Sequence, residues 1–381
     1  MGEHEGELIA FRRDLHAHPE IGYGEHRTTE VLLARLRDFG LQPSRLPGGT
    51  GVVCDLGSGP RTVALRADID ALPIEDGLDT PYRSQHAGVS HACGHDVHTA
   101  ALLGTAGALM AAGPFDGRVR LLFQPAEELM PGGAEEVVRI GLLDDVHSVF
   151  ALHCDPRLST GRIGLRPGAI TAACDLLEVH LRGPGGHTAR PHLTADLVYA
   201  LGKVIVDLPG LLSRRIDSRA GLSLVWGTAT AGVAANAIPE AATAKATVRM
   251  LDRDVWDDAE RVIRELVQST VAPTGAEVSV EYVRGVPPVV NDPAAVEVQR
   301  RAVLATLGPD GVAGTEQSMG GEDFGWMVAE RPGALARLGV RDPQDTGPLH
   351  DLHQGTFDAD ERAVAIGARF LAQTALVALE I

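Results

Sequence analysis

Residues able to do chemistry crowd into one short segment, 91–98, which holds three histidines, a cysteine and an aspartate. Cys93 and His95 stand two positions apart, so both donor atoms can point at one ion, and the glycine between them keeps the backbone out of the way. A thiolate and an imidazole suit zinc, manganese-group or nickel-group divalent ions better than magnesium or calcium. A surface turn rich in histidine by chance is the alternative, and the donors that follow along the chain weigh against it. The segment therefore predicts a metal site.

Candidate partners for this site follow later in the chain. The pair Glu127–Glu128 comes after an apolar run, and so does His153. Adjacent carboxylates point in different directions, so one can bind metal while the other holds a water and acts as general base and then acid. His350 and His353 offer a last donor, and the residues alone leave open which of the two completes the set.

Asp68 and Asp70 lie in an extended segment over residues 65–73, upstream of the Cys-Gly-His turn. Two carboxylates on such a segment cannot both be buried without cations or imidazoles nearby. One role for an aspartate here is to accept the free N–H of a metal-bound histidine. A solvated strand end is the alternative.

Further candidates lie between residues 183 and 324. His187 follows a glycine-rich turn and could donate to an oxyanion, and Asn236 is a neutral side chain suited to a carbonyl or a carboxylate. Arg249 could pair with a substrate carboxylate, although a structural ion pair is equally expected of it. Glu322 and Asp323 resemble the acidic first turn of a helix that lines the site.

The elements that must position these side chains alternate between strand and helix in the first part of the chain. Helices are predicted around residues 8–18 and over 28–39, and polar residues stand where strands end, as α/β sheets place their sites. From there to residue 153 the pattern predicts a strand hairpin over 51–65, a helix over 99–112, a strand over 119–123, a helix over 134–140 and a strand over 148–153.

The pattern changes near residue 171. Two strand–helix–strand units indicate a separate α+β domain over 171–285, inserted in an α/β domain made of 1–170 and 286–381. The last predicted element is a helix over 358–379. Within the insertion we expect strands over 176–181, 221–230, 242–250 and 278–283, and helices over 194–215 and 255–270.

Composition excludes several classes of protein. The net charge is −17, from 34 basic and 51 acidic residues. The sequence shows no basic patch of the kind that would indicate a nucleic-acid partner. Four dispersed cysteines do not form a disulfide framework and indicate a reducing compartment. The amino-terminal stretch is charged and lacks the apolar core of a secretory signal. The sequence contains no run of about 18 apolar residues that would predict a membrane span. We expect a soluble, cytoplasmic protein that does not bind membranes.

With these residues in view, the chain resembles the metal-dependent amidohydrolases that include hippurate hydrolases, N-acyl-amino-acid aminoacylases and indole-acetyl-amino-acid hydrolases. The resemblance runs in order along nearly the whole chain and is specific for the family, not for its substrate. It is carried by LRADIDALP, HACGHDVHTA, FQPAEE, ALH, GPGGHTARPH, ANAIP, GGEDF and LHQGTFDADE.

The resemblance implies a mixed-sheet catalytic domain that binds two divalent metal ions (Zn, Mn, Co or Ni), with an inserted lid domain that forms a homodimer. It makes Glu127 the general base and acid, and Asp70 the residue that orients the site. It makes His187 and Asn236 the lid residues that bind the substrate's carbonyl and carboxylate. The implied metal ligands are Cys93, His95, Glu128, His153 and His353.

Two features depart from the family pattern. His350 is a second histidine where the family usually has one, and Cys154-Asp155-Pro156 stands where an aromatic residue is common. The first concerns which histidine is the last ligand, and the second concerns preference for the substrate's side chain.

The preferred hypothesis is an amide hydrolase that cleaves N-acyl amino acids through a metal-activated water. The alternative on the same scaffold is a dipeptidase or carboxypeptidase. A non-catalytic metal-binding protein would lack the base or a ligand, and none is missing. A fourth hypothesis is that Cys93 acts as a thiol nucleophile. It predicts an activity that survives complete removal of metal.

Overall fold

The chain leaves its first structural unit after residue 170 and returns to it at residue 290. A computed structural model describes residues 2–380, with side chains from residue 5 onward. The first unit comprises the chain up to 170, 290–317 and the chain from 323 on, whereas the second comprises 171–289 and 318–322. The sequence had put the return at residue 286 and did not assign 318–322 to the insertion. The lid and dimerisation role of the second unit remains a prediction.

The first unit combines a sheet with flanking helices. Its helices are α1 (Gly2–Ala17), α2 (His26–Asp38), α3 (His95–Ala112), α4 (Gly133–Arg139), α7 (Pro293–Leu307), α8 (Phe324–Glu330) and α9 (Arg362–Leu379). Its strands are β1 (Ser44–Arg45), β2 (Val52–Asp68), β3 (Asp116–Gln124), β4 (Ser148–Ser159), β5 (Ile163–Leu165), β6 (Gly168–Ala169), β13 (Val290–Asn291), β14 (Val312–Gly314) and β15 (Gly333–Arg341).

The main sheet is mixed, which confirms the predicted α/β class. Its seven strands run in the order β1-β2-β4-β15-β5-β14, with β3 paired to β2. β2 pairs in parallel with β4, and β4 in parallel with β15, whereas β15 pairs antiparallel with β5. Since Asp68 stands opposite Gln124, the ends of β2 and β3 meet at one edge, where α/β sheets place their sites.

The predicted hairpin over 51–65 is wrong. Residues 52–68 form the single long strand β2, and β3 lies between its two arms. Along the first arm Val52 faces Phe123 and Leu56 faces Val119, so the numbering of the partners runs in opposite directions. Along the second arm Val63 faces Val119 and Asp68 faces Gln124, so the two strands run the same way. The two arms never pair with each other because a strand distant in sequence takes the place between them.

Helix α3 packs closely on α9 because both present small residues at the contact. A Cβ added at Gly104 would lie 2.9 Å from the Cβ of Ala368, and one at Gly367 would lie 3.1 Å from the Cβ of Ala101. Within residues 2–380, α9 is the one helix that is long and apolar enough to cross a membrane, and 61% of its residues are buried in the protein. Its contacts are those of a core helix, and they fix the axis of α3.

The second unit is an antiparallel sheet with helices on one face. Its strands are β7 (Ala173–Arg182), β8 (Gly186–His187), β9 (Ser223–Ala231), β10 (Ala237–Ile238), β11 (Ala241–Met250) and β12 (Glu277–Val286), and its helices are α5 (Leu197–Arg215) and α6 (Arg253–Val271). The four-stranded sheet has the order β12-β7-β11-β9. Alternate residues of β11 from Ala242 to Met250 are buried, as the period of a strand requires. The strand β9 forms one edge of this sheet.

Candidate metal centre

The amino-terminal end of α3 presents the Cys-Gly-His turn. Gly94 has φ 85°, a left-handed conformation that favours glycine, and a Cβ there would lie 2.8 Å from Cys154 Sγ. The turn therefore needs glycine both for its backbone and for its close approach to β4. It buries both flanking donors, with Cys93 6% and His95 0% exposed.

Two buried histidines have their ring orientation fixed through Nδ1. His95 Nδ1 lies 2.9 Å from the carbonyl oxygen of Asp70, and His153 Nδ1 lies 2.8 Å from that of Cys154. A carbonyl oxygen can only accept, so each Nδ1 donates its proton and each Nε2 is the nitrogen left to bind a metal. His153 Nε2 in turn lies 3.5 Å from Cys93 Sγ.

The carboxylate pair lies against these donors, in the loop that follows β3. Glu127 Oε2 and Glu128 Oε1 are each 3.9 Å from His95 Nε2. Asp70 links this loop to the histidine, because its Oδ2 accepts the N–H of Glu128 at 2.9 Å and its Oδ1 lies 3.2 Å from His95 Nδ1. One aspartate therefore orients two of the predicted ligands.

The two candidate histidines near residue 350 lie in different surroundings. His353 Nε2 is 3.3 Å from Glu128 Oε1, and with Cys93 these two residues form a group of donors. His350 instead lies 2.8 Å from the Thr356 hydroxyl and lines a surface cavity. The geometry favours His353 as the last ligand, and its role remains a prediction.

The donor set fits divalent metal ions. Several groups of donors have all their ligand atoms within 4.8 Å of one another, and three of them consist of the predicted ligands and base: Cys93, His95 and His153; Cys93, Glu128 and His353; and His95, Glu127 and Glu128. His95 Nε2 is buried and has no hydrogen-bond partner among the described residues, as expected of an atom reserved for a metal. Thiolate, imidazole and carboxylate together suit zinc, manganese, cobalt or nickel.

The electrostatics of the cluster favour a cation. Although burial opposes its protonation, His95 has its pKa raised to about 10 by the carboxylates of Asp68, Asp70 and Glu128. Burial, together with Glu128 and Glu127, holds the pKa of the Cys93 thiol well above its usual value. Without a cation this thiol is protonated, which disfavours Cys93 as a nucleophile.

His153 stays neutral because burial, assisted by Arg337, lowers its pKa well below the usual value. A neutral imidazole is the form that binds a metal.

A buried chain of polar groups stands behind the donors. Asp68 Oδ1 lies 2.6 Å from His98 Nδ1, and His98 Nε2 accepts the N–H of Cys154 at 2.8 Å. Burial disfavours the charge on Asp68, yet Arg66, His95 and His98 hold its pKa well below the usual range. This chain ties the end of β2 to the part of β4 that carries His153.

Asp323 lies at the start of α8, as the sequence suggested. It is fully buried, and its carboxylate accepts from Arg66 Nη2 and Gln124 Nε2, each at 2.7 Å. It thereby shares the guanidinium of Arg66 with Asp68. Helix α8 begins one residue later, at Phe324, and Glu322 belongs to the second unit.

The three candidates in the second unit fall into two places. His187 and Asn236 lie side by side, since His187 pairs with Ala237 between β8 and β10 and Asn236 O accepts the N–H of Thr188 at 3.3 Å. Arg249 donates to the carbonyl oxygen of Met319 within the same unit. The substrate contacts assigned to these residues remain predictions.

Sequence reasoning missed Glu25. Its carboxylate is fully buried and accepts the N–H of Ala126, directly before the carboxylate pair, at 2.8 Å. Only its place after a glycine-rich turn and before a helix sets it apart in the sequence. That pattern indicates a helix cap and no link to the site.

Known proteins match this chain over most of its length. Peptidase family M20/M25/M40 matches residues 64–377. The chain is 36% identical to an N-acetyl-L-cysteine deacetylase from Bacillus subtilis (strain 168) over 97% of its length and 88% of that protein. It is 47% identical to a protein from Rhodococcus jostii (strain RHA1) named putative glutamate–cysteine ligase 2-3, over 99% of its own length. It spans only 47% of the length of that relative.

A solved structure shows the same fold with a related sequence. The crystal structure of the Bacillus subtilis YXEP protein, described as a dinuclear metal binding peptidase from the M20 family, superposes with a TM-score of 0.86 at 31% identity. The match covers 100% of this chain and 99% of that one.

Proposed function

Because the chain belongs to peptidase family M20/M25/M40 and is a metal-dependent hydrolase, we propose that it hydrolyses N-acyl amino acids to a carboxylic acid and a free amino acid. One observation carries the proposal. Glu127, whose side chain is 9% exposed, approaches His95 Nε2 to 3.9 Å beside a cluster of metal donors. A carboxylate beside these donors could act as general base on a water held by the metal ions. The deacetylase name of one relative supports the substrate class.

Cys93, His95, Glu128, His153 and His353 would hold two divalent metal ions. When bound, such ions supply Lewis acidity and lower the pKa of water.

Glu127 takes a proton from the attacking water while the oxygen of the water forms a bond to the amide carbon. Glu127 then delivers that proton to the amide nitrogen as the C–N bond breaks. Asp70 keeps His95 and Glu128 oriented throughout. His187 would donate to the carbonyl oxygen, where charge develops. Asn236, with Arg249, would bind the substrate's carboxylate.

A dipeptidase or carboxypeptidase activity is the second candidate. It is supported by the peptidase description of both the matching family and the YXEP structure. The same residues would attack a peptide bond, so the two candidates differ only in what is recognised on either side of the bond.

We also propose a homodimer formed through the second unit. On the outer face of α5, Tyr199 is 59% and Val206 74% exposed, and a Cβ at Gly202 or Gly210 would meet nothing within 4 Å. The edge strand β9 exposes 60% of Val225. An apolar helix face beside an open strand edge is a surface that proteins cover. Light scattering should give twice the mass of one chain for wild type and the mass of one chain for Val206→Glu.

The proposed compartment is the cytoplasm, because Cys54, Cys93, Cys154 and Cys174 are all buried free thiols. The partners would be small-molecule substrates, with no nucleic acid or membrane.

The test is a chelation and reconstitution assay. Purified protein is assayed before and after chelation, and after addition of Zn, Mn, Co or Ni, against a panel of N-acyl amino acids and dipeptides, with released amine as readout. Hydrolysis of N-acyl amino acids that chelation removes and metal restores is the expected result. A preference for dipeptides would select the second candidate. Hydrolysis that survives full chelation, or none with any metal, would overturn the proposal.

A further inference from the structure

We propose that Glu25 is a positioning residue for Glu127: as a buried hydrogen-bond acceptor it fixes the backbone turn that aims the general base. The inference rests on the proposed function, because it concerns the same reaction. Glu25 itself would touch neither substrate nor metal.

The turn before Glu127 has a conformation that its residue disfavours. Ala126 has φ 56°, in the left-handed region where side chains are unfavourable, and it is fully buried. Such a residue persists only where its surroundings impose the conformation, and these residues cluster at active sites. Something must therefore hold the peptide of Ala126 in place.

Glu25 supplies that hold from one side. Its Oε1 accepts the N–H of Ala126 at 2.8 Å, and on the other side the carbonyl oxygen of Ala126 accepts the N–H of Gly133 at 3.1 Å. Without Glu25, the N–H of Ala126 would be buried and unpaired, which a protein avoids by moving the backbone. Movement here is transmitted directly to the next residue, Glu127.

Glu25 is itself anchored at the start of α2. Its carbonyl oxygen accepts both the N–H of Thr29 at 3.0 Å and the Thr29 hydroxyl at 2.6 Å. In the same segment, the carbonyl of Glu20 accepts the N–H of Ala71 at 2.8 Å, next to Asp70. The segment 20–25 thus contacts Ala126, directly before the carboxylate pair, and Ala71, next to Asp70.

The environment of Glu25 disfavours an ionised carboxylate. Burial first, and the charge of Asp70 in addition, raise the pKa of Glu25 to about 7, while the N–H of Ala126 and the Thr50 hydroxyl act in the opposite direction. Among the described residues no cation forms an ion pair with it. A glutamate kept in such a place is consistent with a specific acceptor role.

Three substitutions test the role against a matched control. Glu25→Ala removes the acceptor, Glu25→Asp shortens the side chain so that the acceptor no longer reaches, and Glu25→Gln keeps an acceptor oxygen without the charge. Glu20→Gln is the control, because Glu20 also accepts backbone N–H groups, those of Arg27 at 2.9 Å and Thr28 at 2.8 Å, but does not contact Ala126.

In the metal-loaded enzyme, Glu25→Ala and Glu25→Asp should lower kcat about 100-fold, the cost of a small misplacement of a catalytic group. KM and the number of metal ions per chain should stay unchanged. Glu25→Gln and Glu20→Gln should stay close to wild type. Wild-type kcat in Glu25→Asp, or an equal loss in Glu25→Gln and Glu25→Asp, would overturn the proposal. So would a loss of activity in Glu25→Asp that added metal repairs.

Hydrogen exchange gives a readout that does not depend on activity. Peptides that cover residues 124–130 should exchange faster in Glu25→Asp than in wild type, and at the wild-type rate in Glu20→Gln. If the wild-type enzyme cleaved nothing in the panel, the proposed function would fail while this measurement still decided whether Glu25 holds the turn. Unchanged exchange in Glu25→Asp would overturn the proposal by itself.

Discussion

The two sides of the donor cluster are built differently. On the buried side, Cys93, His95 and His153 are at most 6% exposed, and each imidazole is held through Nδ1 by a backbone carbonyl. On the open side, Glu127 and Glu128 come from a loop, and the side chain of His353 is 53% exposed. His353 also has φ 62°, and its backbone N–H donates to the carbonyl of Ala92 at 2.9 Å. We infer that the buried side supplies rigid ligands, whereas the open side supplies the remaining ligands, Glu128 and His353, together with the base and the access for the substrate.

The largest effect should come from removing the base on the open side. Glu127→Gln should lower kcat by about 1,000-fold or more, within the range for loss of a general base. Metal content should stay at the wild-type level because the buried donors are intact. The measurements are turnover and metal stoichiometry on the same sample. Substantial residual turnover would move the base to another residue.

His353 and His350 should differ in what their loss does to metal binding. His353→Ala should weaken the binding of one metal ion by roughly 100-fold or more, since it removes a direct ligand and even outer partners cost 10–100-fold. His350→Ala is the matched control and should behave as wild type. Metal titration of both variants tests this. The reverse result would identify His350 as the ligand.

Asp70 joins the two sides, so its loss should affect both to a smaller extent. In Asp70→Asn only one oxygen remains to accept, either from His95 Nδ1 or from the N–H of Glu128. Metal affinity should fall about 10–100-fold, and excess metal should restore activity. Asp55→Asn, on the other arm of β2, is the control. If excess metal restored nothing, Asp70 would serve the open side alone.

The smallest effect concerns stability and pH. The pKa of Glu25 is raised to about 7 from an ordinary 4.5, so folding favours its protonated form. This contribution is present below about pH 4.5 and is lost as pH rises through 7. In the metal-free protein, Glu25→Gln should therefore be more stable than wild type by on the order of 1 kcal/mol at pH 8, and equal near pH 4.5. Chemical denaturation at both pH values measures it, and a gap independent of pH would contradict it.

The donor segments were predictable because their chemistry is local in sequence. The residue types and the spacing of Cys93-Gly94-His95 indicate a pair of metal donors. Glu127–Glu128 and His153 follow apolar runs that predict strands. The mixed α/β class followed from the alternation of strand and helix. Even the choice of His353 over His350, open from the residues alone, agrees in geometry with the family resemblance.

What could not be predicted depends on contacts between distant parts of the chain. The hairpin at 51–65 failed because local turn signals do not reveal that β3 comes between the arms. Glu25 was missed because its partner is a backbone N–H group 101 positions away, and no side-chain pattern marks such a pair. Arg249 was assigned from its residue type and its place at the end of a strand, and neither signal shows that the carbonyl oxygen of Met319 accepts a hydrogen bond from it.

The position of β3 between the arms of β2 has a consequence for how the protein folds. Asp68 becomes a neighbour of Gln124 only when β3 has entered between the arms. A nascent chain that ends before residue 116 holds both arms and the Cys-Gly-His turn, yet it lacks β3, the strand that pairs with both arms. Because pairing between distant segments slows folding, the donor cluster should form late and all at once, as the sheet closes, and not one ligand at a time.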